Sequence, residues 1–153
     1  MNIGQVFEPE EKKNIVRKIL EELPDWFGIE EAREQYIRES GQQICIGAAG
    51  KQGYIGFVCL KETGKDTLEL AVMGVLEAYH RQGTGRKLFM AAKEIAREKG
   101  YSFLQVKTVQ MGKYENYDDT NRFYISMGFQ EFEVFPDLWD KANPCQIYIM
   151  SVG

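Results

Sequence analysis

Apolar positions in residues 10–22 (EEKKNIVRKILEE) fall at Ile15, Val16, Ile19 and Leu20. That spacing puts them on one stripe of a 3.6-residue helix, with charges on the opposite face. Pro24 disfavours a helical Leu23, so the helix is predicted to stop there. Residues 29–39 predict a second helix through Ala32, Tyr36 and Ile37. Between them PDWFG (24–28) reads as a turn carrying two large aromatics. The period then changes. ICIGAA (44–49) and YIGFVCLKE (54–62) are short runs separated by GKQG, and they predict a hairpin. TGKD (63–66) turns the chain again into TLELAVMGVL (67–76), a third strand of an antiparallel meander.

Helical spacing returns from Gly83 to Gly100 through Leu88, Phe89, Ala92, Ile95 and Ala96. Lys99-Gly100 supplies a basic last turn and a glycine stop. FLQVKTV (103–109) follows as a strand. Strand, helix and strand at this spacing form a βαβ unit, so strands 67–76 and 103–109 are expected to be parallel neighbours. TNRFYISMG (120–128) predicts a short helix ending at Gly128, and FQEFEVF (129–135) and QIYIMSV (146–152) two closing strands.

The chain has 153 residues, the size of one domain, and no repeat or linker divides it. Hydrophobic residues at 44% and charged residues at 27% exclude a disordered chain. A net charge of −4 argues against nucleic acid as a partner. It suits a cationic substrate, but solubility alone is the readier explanation of such a charge. No apolar run approaches the ~18 residues a membrane span needs, and the N-terminus lacks the order of a signal peptide. Three unpaired-looking cysteines, Cys45, Cys59 and Cys145, point to a reducing, cytoplasmic compartment. With one histidine, His80, and no CxxC, no metal site is expected.

The chemistry concentrates in LELAVMGVLEAYHRQGTGRKL. A strand leads through a loop to Arg81-Gln82-Gly83-Thr84-Gly85-Arg86, which opens a helix. N–H groups at a helix start lack internal partners, and the macrodipole adds about half a positive charge there. Glycines let backbone approach a ligand closely. The segment is therefore an anion cradle suited to a pyrophosphate, with Arg81 and Arg86 adding charge. It is not a Walker loop, because Lys87 is followed by Leu88. Leu88 also stands where a dinucleotide fingerprint needs a third glycine. A glycine-rich helix start without a ligand is the plainer alternative.

A second segment carries Phe123-Tyr124-Ile125-Ser126-Met127-Gly128-Phe129. Together the two resemble the GNAT superfamily of acetyl-CoA-dependent N-acetyltransferases. That family's pyrophosphate loop reads Gln/Arg-x-x-Gly-x-Gly/Ala, and its later motif resembles Phe-Tyr-x-x-x-Gly-Phe. The resemblance covers about residues 44–135. His80 stands where the family prefers Gln or Arg, and Tyr117 and Thr120 replace its usual Asn and Ala. It implies a single α/β domain over residues 1–153. The central sheet would be mixed and mostly antiparallel, flanked by helices, with the parallel pair splayed where the cofactor enters. It also implies contacts to acetyl-CoA from Met73, Val75, residues 81–86 and the nearby Asn121, the N–H near Val75 serving as oxyanion donor.

The expected reaction is acetyl transfer from acetyl-CoA to a primary amine by direct attack in a ternary complex. An alkylamine is almost fully protonated at neutral pH, so a base must take its proton. Glu69 shares a strand face with Ala71, Met73 and Val75 by period two, and the resemblance favours it as that base. A solvent-facing carboxylate is the alternative. Tyr124 is the expected acid that protonates the departing thiolate, against the alternative of a core aromatic. Trp26 and Phe27 in one segment, and Asp137, Trp139 and Asp140 in another, are expected as loops that box a small cationic amine. Tryptophans capping the core is the other reading. A protein or peptide acceptor, and a non-catalytic acyl-CoA-binding module, remain alternatives. The two C-terminal strands leave room for a homodimer.

Overall fold

The computed structural model describes all 153 residues. The strands hydrogen-bond in the order β1-β2-β3-β4-β5-β7-β6, one seven-stranded sheet with a single parallel pair. Packing divides the chain into two compact units, Met1–Lys61 with Ala71–Ile95 and Glu62–Leu70 with Ala96–Gly153. No helix is long and apolar enough to cross a membrane.

In the first unit, α1 (Pro9–Glu21) starts where Pro9 is preorganised and the Glu8 carboxylate accepts the Glu11 N–H at 2.6 Å. Its buried stripe is Ile15, Val16, Ile19 and Leu20, as the spacing predicts. The expected PDWFG turn is instead one helical turn, α2 (Pro24–Phe27). Proline, which ends α1, occupies a first-turn position of α2. α3 (Glu30–Ser40) lies against α1, where the Arg17 guanidinium grips Glu34 through two 2.8 Å bonds.

β2 (Ile44–Gly50) and β3 (Gly53–Gly64) pair antiparallel with Cys45 opposite Cys59. Two residues join β3 to β4 (Thr67–Val75), so this pair is antiparallel as well. Gly74 lets α1 come close: a Cβ there would lie 3.1 Å from Ile19 and 3.2 Å from Leu23 and Phe57. β1 (Asn2–Val6) was not anticipated. Only Val6 of its residues is buried, so no alternation announces it, and its ladder with β2 makes it a strand. α4 (Thr84–Glu98) follows a single 3-10 turn at Glu77–Tyr79.

In the second unit, the start of β4 runs parallel to β5 (Phe103–Val109), from Thr67 beside Phe103 to Leu70 beside Val106. The ladder ends there, although β4 continues to Val75. β5 pairs along its whole length with β7 (Asn143–Ser151), and β7 with β6 (Gln130–Asp140). α5 spans Glu115–Met127, five residues earlier than expected. Its polar first turn gives no apolar signal, but the Asp118 carboxylate accepts the Gly112 N–H at 2.7 Å and ties it down. Gly128 ends it at φ 106°, as a glycine stop should. β6 corrects a second expectation. Residues 136–140, read as loop, belong to a strand whose side chains are almost all exposed, so it shows no alternation.

Candidate active site

In the first unit, the Leu76 N–H donates to Ile55 O at 2.9 Å, so the N–H of Val75 points to the side of β4 away from β3. His80 lies past the 3-10 turn, with Nε2 2.6 Å from Val75 O. A carbonyl only accepts, so Nε2 carries the hydrogen and donates. The bond pins the loop to the end of β4. The Trp26 and His80 rings pack in a T-shape, their centroids 5.7 Å apart.

Arg81 then adopts φ 62°. This is a left-handed conformation, unusual for a residue with a Cβ. Gln82 Nε2 donates to Ala78 O at 3.0 Å. Gly83 is at φ 84°, and a Cβ there would meet nothing within 4 Å. The first helical bond runs from Lys87 N to Gly83 O at 3.0 Å. The N–H groups of Thr84, Gly85 and Arg86 precede it and have no partner within the helix. Thr84 is buried and its hydroxyl reaches Met1 Sδ at 3.5 Å, while Arg81 and Arg86 are exposed. Two left-handed residues, a ring of outward amides, two cations and open ground before Gly83 fit a pyrophosphate.

In the second unit, Glu69 is 5% exposed and Lys107 Nζ lies 2.8 Å from its Oε1, a charge contact rather than a well-directed hydrogen bond. Register sets Glu69 beside Gln105 and Lys107 opposite Ile147, and side chains alternate along a strand. Glu69 and Lys107 therefore share one face of the sheet. Val106 and Tyr148 share the other, and there the Tyr124 ring lies 6.3 Å from that of Tyr148. Phe129 and Phe123 flank Tyr124, each at 5.7 Å. Tyr124 is 8% exposed. Burial pushes the Cys145 thiol up to about 11, and it pushes Cys59 upward too, after the bond to Cys45. All three cysteines are buried, which gives none the exposure a nucleophile needs.

Several expected site residues are placed otherwise. Asn121 is fully buried, and both of its N–H groups donate within the protein, to Val109 O at 2.8 Å and Tyr117 O at 2.7 Å. Its amide is a structural clamp rather than a cofactor contact. Trp26 and Phe27 pack against the core of the first unit, Phe27 edge-on to Tyr36 at 5.9 Å, rather than standing in a loop. Asp137, Trp139 and Asp140 are exposed on β6. Both Asp140 oxygens accept from Asn143 Nδ2, at 2.8 and 3.1 Å, and close the β6–β7 turn.

Three residues escaped the sequence reading: Lys107, Tyr148 and the anchoring role of His80. Period two in FLQVKTV sets Lys107 on the polar face, and the parallel register would have brought it to Glu69. Nothing in QIYIMSV singles out Tyr148.

A family model described as an acetyltransferase (GNAT) domain matches residues 39–131. Rat (Rattus norvegicus) N-acetyltransferase 8B is 28% identical over 114 residues, 69% of this chain and 48% of that protein. The chain thus spans about half the length of the curated relative it matches. A GNAT-family structure from Desulfovibrio desulfuricans superposes with a TM-score of 0.87 at 18% identity, covering 99% of each chain. An aminoglycoside 6'-N-acetyltransferase complexed with coenzyme A superposes at 0.75 and 15% identity, covering 100% of this chain and 98% of that one. At such identities the structures share the fold, while the family model takes in well over half of the sequence. The chain belongs to the GNAT family of acetyltransferases.

Proposed function

We propose that the protein transfers an acetyl group from acetyl-CoA to a primary amine, by direct attack in a ternary complex. The observation that carries this reading is the cradle: Arg81 at φ 62° and Gly83 at φ 84° leading into the amides that open α4. The aminoglycoside acetyltransferase and coenzyme A named for the similar fold support it. They also favour a small cationic amine over a protein acceptor, as does the acidic net charge of −4.

When bound, acetyl-CoA supplies a thioester whose carbonyl carbon takes the amine nitrogen and whose sulfur leaves. The amides of residues 84–86, with Arg81 and Arg86, hold the diphosphate. Met73 and Val75 flank the acyl arm, and the Val75 N–H donates to the carbonyl oxygen as charge grows there. Glu69 takes the amine proton, directly or through water, and Tyr124 gives a proton to the sulfur. Asp137 and Trp139 draw the cationic acceptor by charge and by the aromatic face. No covalent acyl-enzyme is involved, consistent with three buried thiols.

A thiol-release assay with acetyl-CoA tests the reading against polyamines, aminoglycosides and basic peptides. Turnover is expected with small polycations. Binding of acetyl-CoA without turnover on any acceptor would overturn the enzymatic reading in favour of an acyl-CoA-binding module. Turnover on peptides alone would overturn the acceptor class.

A further inference from the structure

Asn121, 0% exposed in the middle of α5, joins three elements. Its Nδ2 holds the last carbonyl of β5, Val109 O, at 2.8 Å and the carbonyl one turn back, Tyr117 O, at 2.7 Å. Its Oδ1 accepts the Tyr148 hydroxyl of β7 at 2.6 Å, and the contact is buried on both sides. Tyr124 lies three residues further along α5, on the same side of the helix. The Tyr148 ring packs on it at 6.3 Å, tilted by 47°. One phenol thus bonds the amide that fixes the helix and touches the side chain read as the acid. Two of these bonds, to Val109 O of β5 and from Tyr148 of β7, leave the helix, so α5 cannot turn about its axis without breaking both.

We propose that Asn121 and Tyr148 are positioning residues for acyl transfer: they set the rotation of α5 and so the point to which Tyr124 delivers its proton. The proposal rests on Tyr124 as the acid. Neither Asn121 nor Tyr148 exchanges a proton with the reacting groups. Their loss therefore lowers turnover without weakening the grip on acetyl-CoA, which belongs to residues 81–86.

The test compares Tyr148→Phe, Tyr124→Phe and the double variant, each measured for kcat, KM for acetyl-CoA and thermal midpoint. Tyr148→Phe keeps the ring and removes only the hydroxyl. It is expected to lower kcat by about tenfold, within the range that misplacing a catalytic group costs, with KM unchanged. In the Tyr124→Phe background it should lower kcat no further. Asn121→Ser, which is too short to span the three partners, should match Tyr148→Phe in kcat. A kcat within twofold of wild type for Tyr148→Phe, or losses that multiply in the double variant, would overturn the proposal and leave Tyr124 as the acid. A Tyr124→Phe enzyme with normal kcat would overturn the acid assignment itself.

Discussion

Lys107 Nζ lies 2.8 Å from Glu69 Oε1, on the face of the sheet opposite the one where Tyr124 packs. The ammonium compensates a carboxylate that is 5% exposed. Lys107→Met should destabilise the protein by about 2 kcal/mol, read from urea midpoints, because the carboxylate keeps its burial and loses the ammonium beside it. Adding Glu69→Gln should recover part of that loss. Glu69→Gln alone should cost about a hundredfold in kcat/KM for the amine, the usual contribution of a positioned base. An unchanged kcat/KM would leave Glu69 as a structural partner of Lys107 only.

Arg81 holds a left-handed conformation that a glycine adopts without penalty. Arg81→Gly should therefore raise stability by about 1 kcal/mol while weakening coenzyme A binding severalfold through the lost charge. Gly83→Ala runs the other way. Gly83 sits at φ 84°, where an added Cβ strains the loop. The strain should cost about 1 kcal/mol and raise the KM for acetyl-CoA more than it lowers kcat. Calorimetric titration with coenzyme A and thermal melts separate the two effects.

Stability should fall as pH rises above 9. Burial holds the Cys145 proton to about 11 in the folded chain, whereas the unfolded chain releases it near the ordinary 9.0. Above 9.0 the unfolded state binds fewer protons than the folded one, so unfolding becomes easier until the folded thiol also ionises. Tyr148 and Tyr117, both raised by burial, extend the decline. Cys145→Ala should flatten the slope between pH 9 and 11 in urea titrations, even if its absolute stability is lower. An identical slope would remove Cys145 as the cause.

Asp137 and Asp140 are both exposed on β6, but only Asp140 is held by Asn143. Asp137→Asn should raise KM for a polyamine severalfold and leave KM for a neutral-tailed amine unchanged. Asp140→Asn should instead lower the thermal midpoint by loosening the β6–β7 turn. Equal KM values for both acceptors in the Asp137 variant would separate β6 from acceptor binding.

Elements with a clear period were legible along the chain. The stripe Ile15, Val16, Ile19 and Leu20 announces α1, and the glycine at 128 ends α5 where expected. Elements without a period were not. β1 and the far half of β6 carry mostly exposed side chains, and only their backbone ladders make them strands. The glycine loop and the Phe-Tyr segment were legible as motifs because each depends on local backbone and short spacing. Asn121 was misread for the opposite reason: its partners, Val109 and Tyr148, are 12 and 27 residues away.

Gly83 and the start of α4 are neighbours in the chain, so their backbone conformations are local and readable from the sequence. The sequence also determined that Glu69 would share a face with Met73 and Val75, because alternation along one strand is covalent geometry. The contacts of Lys107 with Glu69, of His80 with Val75 O, and of Tyr148 with Asn121 and the Tyr124 ring arise only in the tertiary fold. The strand contacts rest on register between β4, β5 and β7, and the histidine contact on the path of a loop. Register is set by the sum of many backbone bonds and buried side chains across strands, and no short stretch of sequence contains that sum.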